Sequence, residues 1–113
     1  MRVLPINPPS HYYELIDGAE GVEFVSAGPA EMVHLFCANR WELEASVGLA
    51  LGQVVEGGML WISWPKKSSK LFVDLTEDDL RTLVLPTGWV DVKVCAVDAD
   101  WSALKFLKRK AAN

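Results

Sequence analysis

The chain of 113 residues is half hydrophobic and 23% charged, a balance that excludes intrinsic disorder and fits one domain spanning 1–113. Its formal net charge of −4 disfavours nucleic acid as a partner, because a phosphate backbone calls for a broad basic surface. No apolar stretch approaches membrane-spanning length, and the start, Met1-Arg2-Val3-Leu4-Pro5, lacks a secretory-signal pattern, so a cytoplasmic protein with no membrane association is expected.

Apolar runs of strand length alternate with helix-length amphipathic segments, the pattern of βαβ units that build a parallel sheet. The first strand is expected over Arg2–Ile6. Pro5 removes a ladder hydrogen bond there, so the strand is shifted, locally bulged, or placed differently in the sheet. A helix over Ser10–Ile16 follows, with Ser10 as its N-cap, and then a second strand over Val22–Ser26. The third strand, Met32–Cys37, carries His34 and Cys37 three positions apart. That spacing sends them to opposite faces and rules out a nucleophile and base within the strand.

A second helix is predicted over Arg40–Val54. Leu43, Val47, Leu51 and Val54 form its apolar face, Trp41, Ala45 and Leu49 an adjoining stripe, Asn39 its cap and Gly57-Gly58 its stop. The fourth strand, Met59–Trp64, is almost wholly apolar, as a central strand covered on both faces would be. Thr76 and Asp79 resemble a capping box for a third helix over Glu77–Leu85, which Pro86 and Gly88 end. Strands over Asp91–Val97 and Ser102–Lys108 are joined too tightly for a parallel crossover and form an antiparallel hairpin. The expectation is an α/β fold, a single three-layer, mostly parallel sheet with a C-terminal antiparallel hairpin. Its strands run in the order second, first, third, fourth, sixth, fifth.

Five tryptophans are many for this length. Trp61 and Trp41 read as core, and core packing is also the favoured place for Trp64, Trp89 and Trp101. Those three lie near element ends, where aromatics also serve partner surfaces, and an uncovered sheet edge leaves room for a homodimer or a protein partner. Cys37 and Cys95 sit in apolar runs and read as free thiols. With His11 and His34 they make no metal pattern.

The sharpest local feature is Trp64-Pro65-Lys66-Lys67-Ser68-Ser69-Lys70, which leaves the carboxyl end of the most buried strand, where open α/β sheets place ligands. Its ammonium and hydroxyl groups suit a small anionic ligand, a phosphate or carboxylate. The same residues also read as a solvated loop kept soluble by its lysines. Asn7 and Ser10 follow the first strand and approach the same edge, so the candidate ligand site comprises Asn7, Ser10, Trp64, Lys66, Lys67, Ser68, Ser69 and Lys70. No catalytic residue or metal ligand is assigned. The basic run Lys105, Lys108, Arg109 and Lys110 reads as protection of an edge strand.

The order of elements resembles that of class I methyltransferases, whose sheet ends in such a hairpin. Leu60-Trp61-Ile62-Ser63-Trp64-Pro65-Lys66-Lys67, Asp74-Leu75-Thr76-Glu77-Asp78, Val90 to Asp98 and Trp101-Ser102-Ala103-Leu104-Lys105 further resemble a bacterial family of small proteins of unknown function, over the second half of the chain most strongly. The resemblance implies a further segment before the first strand, which is not expected in this chain. In methyltransferases a glycine-rich turn after the first strand and an acid at the end of the second hold S-adenosylmethionine (SAM). Here those positions read Asn7-Pro8-Pro9-Ser10 and Val25-Ser26. Two prolines bring bulk and no N–H groups, so no cofactor is expected and SAM is set aside. The resemblance and its departures together imply a non-catalytic binding or interaction module on a degenerate methyltransferase-like scaffold. The alternative is a small enzyme, a transferase or a protein acting on an anionic metabolite at the sheet's carboxyl edge.

Overall fold

The computed structural model describes residues 2–9, 23–97 and 100–108. Its strands are β1 (Arg2–Ile6), β2 (Glu23–Phe24), β3 (Ala30–Phe36), β4 (Val54–Pro65), β5 (Trp89–Ala96) and β6 (Trp101–Lys108). Helix α1 (Arg40–Gly52) links β3 to β4, and α2 (Glu77–Val84) with a 3-10 turn (Leu85–Thr87) links β4 to β5. The helix expected over Ser10–Ile16 lies outside the described residues.

All six strands form one sheet in the order β2-β1-β3-β4-β6-β5. The first four elements of that order pair in parallel, and β6 runs antiparallel to both β4 and β5. This is the mostly parallel sheet with a terminal hairpin that the alternation of apolar runs implied. No helix among the described residues is long and apolar enough to cross a membrane.

Pro5 sits in β1 opposite His34 without a bulge, and the ladder itself explains why. Val25 N–H donates to the Val3 carbonyl at 2.9 Å, so the polar groups of Val3 face β2. Alternate residues of a parallel strand face the same neighbour, so the position where Pro5 lacks an N–H also faces the β2 side. There β2 has already ended: among the described residues it pairs Glu23 and Phe24 with β1. The strand expected over Val22–Ser26 thus ends earlier, at Phe24, and Glu23 and Phe24 are both exposed; Val22 lies outside the described residues. The connection onward, residues 25–29, is too short to hold a crossover helix.

Helix α1 starts as read from the sequence: Asn39 accepts the Glu42 N–H on its side-chain oxygen at 2.9 Å. Its end differs. The helix stops at Gly52, and Gln53 becomes a clasp whose carbonyl accepts the Ala30 N–H (2.8 Å) and whose side chain accepts that of Gly28 (3.1 Å). Gly57 and Gly58 belong to β4 instead, where the register with β3 shifts between Ala30 and Met32. Gly57 takes φ 81°, a left-handed conformation that glycine adopts without cost.

One face of the sheet carries the main core. Val33, Leu35, Leu60, Ile62, Trp64, Leu104 and Phe106 point toward Leu43 and Ala50 of α1 and Leu80 and Val84 of α2. The other face holds a smaller cluster, in which Phe36 meets the Trp101 ring edge-on at 5.2 Å and stacks on His34 at 4.3 Å. Trp64, Trp89 and Trp101 are buried, as core packing required, whereas Trp41, expected in the core, is 74% exposed. The stripe it shares with Ala45 and Leu49 points away from the sheet.

Candidate functional site

Strands β1, β3 and β4 all end at one edge of the sheet, and the chemistry-bearing residues gather in the turns that leave it. At the β1 exit Asn7 holds φ 55°, a left-handed backbone in a residue other than glycine. Asparagine tolerates this conformation better than most residues because its short amide can bond locally. Pro8 and Pro9 follow Asn7, bringing the bulk and the missing N–H groups expected to weigh against a cofactor turn.

The β3 exit is tied down. Glu42 reaches back to accept the Ala38 N–H at 2.6 Å. The Arg40 N–H donates to Asp74 (2.9 Å) and its guanidinium to Asp79 (3.0 Å), linking the start of α1 to the start of α2. Asp79 also accepts the Thr76 N–H at 2.9 Å and completes the capping box of α2. That backbone bond first, and Arg40 second, hold its carboxyl below the usual carboxylate range.

At the β4 exit the loop folds onto β6. Lys66 N–H donates to the Asp100 carbonyl (2.8 Å), and the Ser69 hydroxyl donates to the Asp100 carboxylate (2.9 Å) while accepting the Leu71 N–H (3.0 Å). Ser69 is therefore committed to the loop's own shape. Beside it opens a cleft of about 320 Å³ lined by Trp64, Lys66, Lys67, Thr76, Glu77, Asp78 and Ser102. Trp64 and Ser102 are register partners on β4 and β6, on the sheet face that α2 covers.

Of the residues singled out from the sequence, the structure brings Trp64, Lys66 and Lys67 together. Ser68 and Lys70 are exposed in the same loop but do not line the cleft. Asn7 lies elsewhere on the edge: β3 stands between β1 and β4, which puts those exits two strand spacings, roughly 10 Å, apart. Ser10 lies outside the described residues. Thr76, Glu77, Asp78 and Ser102 were not read as site residues, because a capping box and a hairpin strand account for them fully in sequence terms.

His34 and Cys37 fall on opposite faces, as their spacing implied. His34 Nε2 is 2.7 Å from Ser63 Oγ, both groups buried, and burial pushes its pKa down to about 3. Cys37 lies in the main core, where burial and then the Glu42 charge push its thiol up to about 12. Neither is poised for nucleophilic work at neutral pH. Among the described residues no group of three or more His, Cys, Asp or Glu side chains gathers to hold a metal ion.

Comparison with solved structures places the fold. The chain is similar to magnesium protoporphyrin IX methyltransferase (ChlM) from Synechocystis PCC 6803 with bound SAM, at 13% identity and TM-score 0.58 over 85% of this chain and 50% of that one. It is similar to DhpI in complex with SAH at 13% identity and TM-score 0.60, covering 97% of this chain and 78% of that one. It is also similar to a putative type 11 methyltransferase from Sulfolobus solfataricus, at 11% identity and TM-score 0.61, covering 99% of this chain and 86% of that one. The chain spans half the length of the first of these. The fold is methyltransferase-like. No family model and no curated protein matches by sequence, so the likeness to the small bacterial family stays one of sequence motifs.

These structures correct one expectation. SAM was set aside on the strength of Pro8, Pro9 and the missing acid at Ser26. That exclusion fails, because the fold is shared with chains solved holding SAM or SAH. Moreover, the β1 exit of this chain takes the left-handed turn through Asn7 instead of glycine.

Proposed function

We propose that this chain is a methyltransferase-fold binding domain that takes SAM at the carboxyl edge of β1, next to the exits of β2 and β3. The observation that carries this reading is Asn7 at φ 55° at the end of β1, in a sheet with methyltransferase-like strand order. The left-handed turn at Asn7 supports this reading. Asn7 offers its N–H and carboxamide, and the exposed Ser26 offers a hydroxyl where methyltransferases place the ribose-binding acid. When bound, SAM supplies an activated methyl group.

Binding without catalysis is favoured by the state of the polar groups around this edge. Among the described residues Asp74 and Asp79 hold Arg40, Glu42 holds the Ala38 N–H, Ser69 holds Asp100, and His34 is buried against Ser63. General acid–base work needs a side chain within reach of the reacting group and titrating near neutral pH. The candidates here are engaged in the fold.

Thermal unfolding in the presence of SAM and SAH tests the reading. A ligand bound only by the native state raises the melting temperature progressively with its concentration. We expect such a rise, diminished by Asn7→Val, since a β-branched residue resists the left-handed turn. An unchanged melting temperature at millimolar SAM and SAH would remove this function.

A further inference from the structure

We infer that the cleft between the β4 exit and the first turn of α2 binds a small zwitterion, a molecule carrying an anionic and a cationic group on an apolar spacer. This cleft is separate from the Asn7 turn, and the inference does not rest on SAM binding. Its two charged walls come from different elements. Lys66 and Lys67 stand on the strand exit, Glu77 and Asp78 on the helix start, and the buried Trp64 with Thr76 and Ser102 completes the lining.

The charges of the walls are differently engaged. Neither Lys66 nor Lys67 forms an ion pair among the described residues. On the facing wall Glu77 contacts Arg81, which is held in turn by Asp91 at 3.0 Å. Asp78 stands 3.7 Å from Arg81 with its side chain 95% exposed, so its carboxylate is open to a ligand. A simple anion attracted by the lysines meets the Asp78 carboxylate, and a simple cation attracted by Asp78 meets the lysines. A ligand with both charges satisfies each wall. The volume of about 320 Å³ lies at the small end of pockets that hold small molecules.

The probe is ε-aminocaproate, with hexanoate and hexylammonium as its two half-molecules, titrated into the 15N-labelled full chain and followed by backbone amide shifts. Saturable shifts are expected at Lys66, Lys67, Glu77, Asp78 and Ser102. The zwitterion should bind about fivefold or more tightly than either half, an advantage that falls as salt is raised. The double substitution Lys66→Ala/Lys67→Ala should reduce its affinity to that of hexylammonium, and Asp78→Asn to that of hexanoate. All three residues are at least partly exposed, and the same spectra report whether each variant remains folded. Equal binding of hexanoate and the zwitterion would make this an anion site and overturn the inference. Shifts confined to other residues, the absence of saturable shifts, or insensitivity to Asp78→Asn would overturn it equally.

Discussion

At the scale of single residues the buried His34–Ser63 pair gives the clearest pH dependence. The folded-state pKa of His34 is depressed to about 3, well below that of an unfolded histidine. Between those values the unfolded chain binds a proton that the folded one refuses. Stability is therefore complete above pH of about 6.5 and falls as pH drops, by on the order of 1 kcal/mol per unit. Urea denaturation between neutral pH and about pH 5, above the carboxylate range, isolates this contribution. The His34→Phe variant should show a much flatter profile, and an unchanged slope would mean that the imidazole does not resist protonation. Cys37 makes a second residue-scale prediction: a thiol raised to about 12 in the main core should react with a disulfide reagent only as fast as the protein opens. Labelling of native Cys37 at the rate of a free thiol would contradict its burial.

At the scale of elements the glycines of α1 and β4 have opposite roles. A Cβ at Gly48 would meet nothing within 4 Å, so Gly48→Ala should stabilise the exposed helix face by about 0.5–1 kcal/mol. At Gly58 it would lie 2.7 Å from the Glu31 carbonyl oxygen, so Gly58→Ala should destabilise through the backbone. Melting temperatures of the two variants should move in opposite directions, and a shared direction would refute the placement of one of them. The Thr76–Asp79 capping box was legible from spacing alone, as was Asn39 as a cap, because each is a local contact between residues three apart. The end of α1 was not. Gly57-Gly58 reads as a helix stop, yet the helix is ended earlier by Gln53, whose partners Gly28 and Ala30 are far away in sequence. The exposed stripe of Trp41, Ala45 and Leu49 was misplaced for a related reason: periodicity shows that a face is apolar, and only tertiary packing shows which face meets the sheet.

At the scale of the whole molecule, the strand order was legible because the apolar runs of β1, β3, β4 and β6 contribute buried core residues and the last connection is too short for a crossover. The early end of β2 was not, since Val22 to Ser26 has the composition of a full strand while the pairing among the described residues stops at Phe24. Half of the lysine cleft was legible as a basic loop after a buried strand. Its other half comes from α2 and β6, brought close by tertiary folding, and its acids had already been explained as helix-capping charges. The Asn7 backbone was not legible, because Pro8 biases the residue before it toward extended conformations, whereas Asn7 takes φ 55°. The central claim, a methyltransferase-fold domain that takes SAM at the β1 exit, is tested most directly by mapping backbone amide shifts of the 15N-labelled chain as SAM is added. Saturable shifts at Ile6, Asn7, Ser26 and Ala38 are predicted, with those of Glu77 and Ser102 left in place; shifts confined to the lysine cleft, or none at millimolar SAM, would contradict the claim.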